Sequence, residues 1–263
     1  MTALPPRKVG ALMVHGLGGT QFDFGNLVAS INKAGIATHV PLLPGHGSQP
    51  EDMLNVRAED WLECVRAEYL RLLPLYDTLH VIGMCMGSLL CLELVKQEKH
   101  SAGQLVLLAP PVFLDGWSLP WYRSLRYLGY WLPWVPSRWR VHEEEPFGIK
   151  NEMMRKVVKS KLLKGGGFHY LWVPLYCIEQ MDRLRRWVKR DLDRIDCPCL
   201  VIHAREDELT SLRSAYFLQQ QIGPQHVELS VLENSYHMVC LDNDRLALAK
   251  RVIQKLMPDV QAP

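Results

Sequence analysis

Leu79-His80-Val81-Ile82-Gly83-Met84-Cys85-Met86-Gly87-Ser88 is the stretch that decides the fold. An apolar run of strand length, Leu79 to Gly83, passes directly into a helical pattern, Met86 to Lys99, through G-x-C-x-G. So abrupt a turn crowds the chain around its central residue, and small residues two before and two after relieve the crowding. Gly83 and Gly87 stand at those positions. The central residue then lies at a helix N-terminus, where backbone N–H groups and the helix dipole favour an anion. Cys85 occupies it, and the thiolate is the nucleophilic form of cysteine. Five residues alone are a weak signal, because a buried cysteine is more often inert packing.

The flanking sequence supplies the rest of a sheet. Upstream, Val9 to Val14 reads as a strand ending at His15-Gly16. Gln21 to Ala34 reads as a helix, Ala37 to Leu42 as a strand stopped by Pro44-Gly45, and Arg57 to Leu73 as an amphipathic helix. Downstream come strands Gln104–Leu108, Cys199–His203 and Val227–Leu232, with helices Ser211–Gln221 and Asp244–Leu256. Strands this apolar, alternating with helices, predict a mostly parallel sheet covered on both faces. The alternation lapses between Val112 and Arg190. That segment holds most of the eight tryptophans, several prolines, many arginines and a Gly165-Gly166-Gly167 break. It reads as an inserted helical cap, 112–190, over the C-terminal edge of a core built from 1–111 and 191–263, the edge where open α/β sheets bind ligands.

Bulk composition narrows the function. The 263 residues are 48% apolar, enough for a sizeable core, and the formal net charge of +2 gives no electrostatic case for nucleic acid. Seven cysteines, at 64, 85, 91, 177, 197, 199 and 240, show no paired CxxC spacing, so neither a metal nor a cofactor is expected. Cys197-Pro198-Cys199 is read as structural, and His46 and Asp52 as loop-shaping residues. Free thiols suit a reducing compartment, the N-terminus lacks a signal-peptide pattern, and no apolar run is long enough to span a bilayer; a cytoplasmic protein is expected.

Two partners for Cys85 follow in order. Asp207 lies just past the strand Cys199–His203, with Glu206 and Glu208 as alternative acids. His237 lies in the loop Glu233-Asn234-Ser235-Tyr236-His237-Met238 before the last helix, where capping that helix is the alternative role. Each sits beyond a strand, in the chain order nucleophile, acid, base. His15-Gly16-Leu17-Gly18-Gly19 follows the first strand and predicts a tight turn aiming backbone N–H groups into the same place. The amides of Leu17 and Met86 would form an oxyanion hole. A phosphate-binding loop is the alternative, but G-x-G-x-x-G is missing and no lysine follows.

Taken together, HGLGG, PLLPGHG (Pro41–Gly47), GMCMG, LVIHAREDE and ENSYHMVCLDND resemble the bacterial monoacylglycerol lipases and small carboxylesterases of the α/β-hydrolase superfamily. The resemblance covers nearly all of the chain outside the cap. It implies an α/β-hydrolase fold, a helical cap and a pocket for acyl chains, with Cys85, Asp207 and His237 as catalytic triad and Leu17 and Met86 as oxyanion-hole donors. The chain departs from the family at Cys85, where the family has serine, and at Ser88, where it usually has glycine. Cysteine nucleophiles on this fold resemble those of dienelactone hydrolases and polyhydroxyalkanoate synthases. A thioester intermediate formed from a thioester is near thermoneutral, whereas from an ester it lies uphill. The expected activity is therefore acyl transfer on an apolar ester or thioester, small-molecule or carrier-bound. Ester hydrolysis of the monoacylglycerol lipase kind and non-catalytic lipid binding are the alternatives. Trp117-Ser118-Leu119-Pro120-Trp121-Tyr122 and Tyr130-Trp131-Leu132-Pro133-Trp134, interleaved with Arg123, Arg126, Arg138 and Arg140, read as cap core, as an acyl tunnel, or as a surface for peripheral membrane contact.

Overall fold

Six strands pair into one sheet in the computed structural model, which describes residues 8–164 and 169–257. The strands are β1 (Val9–Val14), β2 (Ala37–His39), β3 (Thr78–Met84) and β4 (Leu105–Leu108). A separate antiparallel ribbon follows, β5 (Arg140–His142) with β6 (Trp172–Pro174), and then β7 (Cys199–Ala204) and β8 (Val227–Leu232). The sheet order is β2-β1-β3-β4-β7-β8, with every neighbouring pair parallel. Strands β4 and β7 are buried at every position, and β3 at all but its first, which is why they read as continuous apolar runs rather than alternating ones.

The helices in chain order are α1 (Leu27–Lys33), α2 (Ala58–Leu72), α3 (Met86–Glu98), α4 (Arg126–Tyr130), α5 (Val135–Arg138), α6 (Glu152–Lys164), α7 (Leu175–Val188), α8 (Arg213–Ile222) and α9 (Arg245–Leu256). They cover both faces. On one face Trp61 and Val65 of α2, Leu90 and Leu94 of α3, Leu184 of α7 and Leu218 of α8 pack on Leu12, Val81 and Leu107. On the other, Ile31 of α1 with Leu248 and Val252 of α9 packs on Met13, Ile82 and Ile202. The segment between β4 and β7 contributes α4 to α7 and the ribbon.

Local chemistry moves several boundaries. The helix expected over Gln21–Ala34 breaks into a 3-10 turn, Gln21–Phe24, and α1, because Gly25 adopts φ +50° and a side chain there would come within 2.8 Å of the Cys240 carbonyl. The strand expected to reach Leu42 stops at His39, just before Pro41, which has no N–H to pair. The inserted segment is not purely helical, since β5 and β6 close a ribbon within it. Gly165-Gly166-Gly167 lies outside the described residues. The cap-core reading of the aromatics is corrected: Trp121 and Trp131 are 88% and 87% exposed, and Trp117, Trp134 and Trp139 are also exposed.

Close approach at the turn after β3 sets the position of Cys85. A Cβ on Gly83 would lie 2.4 Å from the Gly87 carbonyl oxygen, and one on Gly87 would lie 1.9 Å from that of Val14. Both obstacles are backbone, which cannot swing aside. Gly87→Ala is expected to lower the melting temperature by about 5 °C or more, an overpacking cost of ~2–3 kcal/mol. Gly129→Ala, whose Cβ would meet only side-chain ends of Leu175 and Val135, is the control and is expected to shift it far less. Equal melting curves for the two variants would refute this account of the turn.

Candidate active site

Cys85 caps the N-terminus of α3 with φ +51° and ψ −119°, a conformation outside the usual regions for a residue with a side chain. Its surroundings hold it there. Its N–H donates to the Leu108 carbonyl at 2.9 Å, and its own carbonyl accepts from Ser88 N–H at 2.9 Å. The fully buried Ser88 hydroxyl donates to the Gly83 carbonyl at 2.7 Å and accepts from Leu108 N–H at 3.2 Å. Ser88 therefore ties the turn to β4, a role its small size alone does not reveal. Cys85 remains partly exposed, while Cys91, Cys177, Cys197, Cys199 and Cys240 are buried; all of them are free thiols. Burial pushes Cys177 up to about 12, Cys197 up to about 11, and Cys91, Cys199 and Cys240 higher still, which leaves those five thiols inert.

Asp207 is sealed in the loop after β7. Its Oδ1 accepts from the amides of Leu209 at 2.9 Å and Thr210 at 3.0 Å, and its Oδ2 accepts from His237 Nδ1 at 2.8 Å. Burial alone would raise its carboxyl, but the adjacent His237, with help from His203 and the Thr210 amide, holds it below the usual carboxylate range. His237 Nε2 is buried without a full hydrogen bond, and the Cys85 sulfur is the group that faces it. Burial would lower this imidazole, yet Asp207 and the neighbouring Cys85 carry it well above its ordinary value. The structure thus gathers sulfur, imidazole and carboxylate from the ends of β3, β8 and β7.

The alternative acids have other partners. Glu206 is at the surface, paired with Lys150 at 2.6 Å. Glu208 is buried and accepts the main-chain N–H of His237 at 3.0 Å, so it holds the histidine's backbone rather than its ring. Burial raises Glu208 to about 7, with His237 working against the rise and Asp207 adding to it. Sequence order alone did not separate these three acids; their hydrogen-bond partners do.

The loop His15–Gly19 runs beside Cys85: a Cβ on Gly16 would lie 3.2 Å from that of Cys85. Gly16 N–H donates to Asp23 Oδ2 at 2.9 Å, and Gly19 N–H to the Gly16 carbonyl at 3.3 Å. His15 Nε2 accepts from Leu43 N–H at 3.2 Å, which leaves the proton on Nδ1, donated to the Gly16 carbonyl at 2.9 Å. Burial lowers this imidazole, consistent with that neutral tautomer. The amides of Leu17 and Met86 have no acceptor among the described residues. Asp23 shapes the site without having been singled out in the sequence, and Glu208, read there as an alternative acid, holds the histidine's backbone instead. The buried His46, bonded to the Pro44 carbonyl, and Asp52, bonded to Ser48, organise the neighbouring loop.

Known proteins share this architecture. The chain is 28% identical over 246 residues to the thermostable monoacylglycerol lipase of Bacillus sp. (strain H-257), covering 94% of this chain and 89% of that one. It is 24% identical over 236 residues to a carboxylesterase of Bacillus subtilis (strain 168), covering 89% and 86%. Among solved structures, one described under LipS and LipT, two metagenome-derived lipolytic enzymes, superposes with a TM-score of 0.79 at 25% identity, covering 96% of this chain and 94% of that one. Its relatives are hydrolases of the lipase and esterase type, and residues 11–250 match the profile of the Alpha/beta hydrolase family, to which this chain belongs.

Proposed function

We propose that the protein hydrolyses an apolar acyl ester, in the manner of the monoacylglycerol lipases and carboxylesterases it resembles, with Cys85 as nucleophile, His237 as base and Asp207 as orienting acid. One observation carries the reading: His237 is locked to buried Asp207 through Nδ1 and offers its only free nitrogen to the Cys85 sulfur. His237 takes the thiol proton and the thiolate attacks the ester carbonyl. The amides of Leu17 and Met86 receive the oxyanion. His237 then protonates the departing alkoxide, leaving a thioester on Cys85, and finally activates the water that cleaves it. Asp207 keeps the imidazole in the required tautomer throughout. In this reading the 112–190 segment is a cap over the site.

The relatives favour hydrolysis over the acyl transfer suggested by the thiol alone. Transfer keeps one specific support, since a thioester intermediate is well suited to pass its acyl group to another acceptor. Brief exposure to a p-nitrophenyl ester is expected to add one acyl group by intact mass to the wild type and to Cys91→Ala, and none to Cys85→Ala. Steady-state turnover should fall roughly 10³-fold or more in Cys85→Ala and in His237→Ala. Acylation that persists in Cys85→Ala removes the nucleophile assignment. Product appearing as a new ester when alcohols are added, rather than as free acid, would replace hydrolysis by transfer.

We also infer peripheral contact with an anionic bilayer. Between Gly116 and His142 the chain carries five tryptophans and four arginines and no acid. The whole 112–190 segment holds fifteen Lys and Arg against seven Asp and Glu, a formal +8 on a chain of only +2. Exposed indoles beside arginines suit a headgroup layer that is part apolar and part anionic. No described helix is long and apolar enough to cross a membrane, so contact would be from one side, and the seven free thiols suit a reducing compartment such as the cytoplasm. The protein is expected to pellet with phosphatidylglycerol vesicles and not with neutral ones, and Trp121→Ala/Trp131→Ala to pellet several-fold less. Absence of wild-type pelleting would dismiss the contact.

A further inference from the structure

Helix α7 carries a charge cluster that the triad does not use. Asp182 receives two guanidinium groups. Arg126 binds it through Nε at 2.8 Å and Nη2 at 3.3 Å, and Arg185 through Nη1 at 2.7 Å. Tyr130 adds its hydroxyl at 2.8 Å. Both Asp182 oxygens are thereby filled, and the cluster keeps one positive charge in excess. Arg126 is fully engaged, since Nη1 also donates to the Arg123 carbonyl and Nη2 to the Tyr127 hydroxyl. Arg185 is different. Nε donates to the Pro111 carbonyl at 2.9 Å and Nη1 is on Asp182, while Nη2 has no hydrogen-bond partner among the described residues. The residue is only 6% exposed.

Arg185 lies near the candidate active site. Pro111 is three residues past Leu108, whose carbonyl holds the Cys85 amide, and α7 packs on α3, the helix that Cys85 begins. Burial lowers the guanidinium's proton affinity, and Asp182 and then Cys85 counteract it, so the sulfur lies within electrostatic range of Arg185. Nη2 is not among the sealed unpartnered atoms of the described residues, so it reaches solvent and is open to an anion brought in by a ligand. A neutral glycerol ester supplies no such anion.

We propose that Arg185 is an anion subsite and that the ester taken up at Cys85 carries a carboxylate or phosphate which pairs with the guanidinium end. The claim rests on the ester-cleaving reading of the same site and narrows its substrate class. The unused Nη2 offers charge-assisted N–H donors to such an anion, with Pro111 and Asp182 holding the rest of the guanidinium in place.

The experiment compares p-nitrophenyl hydrogen glutarate with p-nitrophenyl valerate, matched in length but with and without the terminal carboxylate. The wild type is expected to favour the acidic ester in kcat/KM by roughly tenfold or more, equivalent to at least ~1.4 kcal/mol. In Arg185→Gln that ratio should collapse toward one or below, whatever happens to the absolute rates. Arg185→Lys keeps the charge without the fork and serves if the glutamine variant does not fold; its ratio should fall between the two. A wild-type ratio of one or less overturns the proposal, as does a variant that slows both esters equally and leaves the ratio unchanged. Calorimetric binding of glutarate monomethyl ester and of methyl valerate to Cys85→Ala separates the two readings. Arg185-dependent preference there sustains the subsite even if no acyl group ever forms on Cys85. Cys85-dependent turnover without that preference sinks the subsite alone.

Discussion

The contact on which this structure depends is the passage of the β3–α3 turn against the end of β1. Gly87 lies against the Val14 carbonyl and Gly83 against the Gly87 carbonyl, with no room for a side chain at either position. That closeness fixes where Cys85 stands relative to the loop His15–Gly19, because the loop is the direct continuation of β1. A residue with φ +51° costs roughly 1–3 kcal/mol in such sparsely populated regions. The hydrogen bonds from Cys85 to Leu108 and from Ser88 to Gly83 and Leu108 offset it. Strain and site geometry therefore arise from the same crowding.

A second level of organisation works through charge. Asp207 stays ionised inside the protein because two amides and an imidazole surround it. His237 in turn is positioned at both ends, its ring by Asp207 and its backbone by Glu208. The adjacent main chain is pinned as well, with Met238 N–H on the Gly148 carbonyl and Tyr236 N–H on Asp242. The Gly148 contact links the histidine loop to the segment inserted between β4 and β7.

What the sequence made legible follows from what kind of physics each feature needs. Buried parallel strands must be largely apolar, so β1, β3, β4 and β7 were visible as runs, and glycines at a backbone crossing admit no substitute, so the turn at Cys85 was visible as a motif. The break at Gly25 was hidden because its cause, the Cys240 carbonyl, lies more than two hundred residues away in the chain. The orientation of the aromatics was hidden for a related reason. Trp121 and Trp131 have the composition of a core, and only the packing shows that they face outward. Glu206, Asp207 and Glu208 are neighbours with the same chemistry, and which of them meets His237 through its ring is decided by the path of the loop, which no local pattern records. Pairings such as Arg126 with Asp182, 56 residues apart, were equally out of reach.

The cysteine at the turn and the cation above it bear on one another. In the proposed reading, acylation of Cys85 gives a thioester, and hydrolysis must then discharge it. An excess positive charge near that sulfur stabilises every anionic species formed there, thiolate and tetrahedral intermediate alike, and so cannot by itself favour one ester over another. Selectivity arises only from interactions that one substrate makes and its competitor does not. In the proposed subsite, the free Nη2 of Arg185 is such an interaction: it adds binding free energy only for a substrate that brings an anion. The proposed subsite would therefore discriminate less by the length of the acyl chain than by the charge the chain carries.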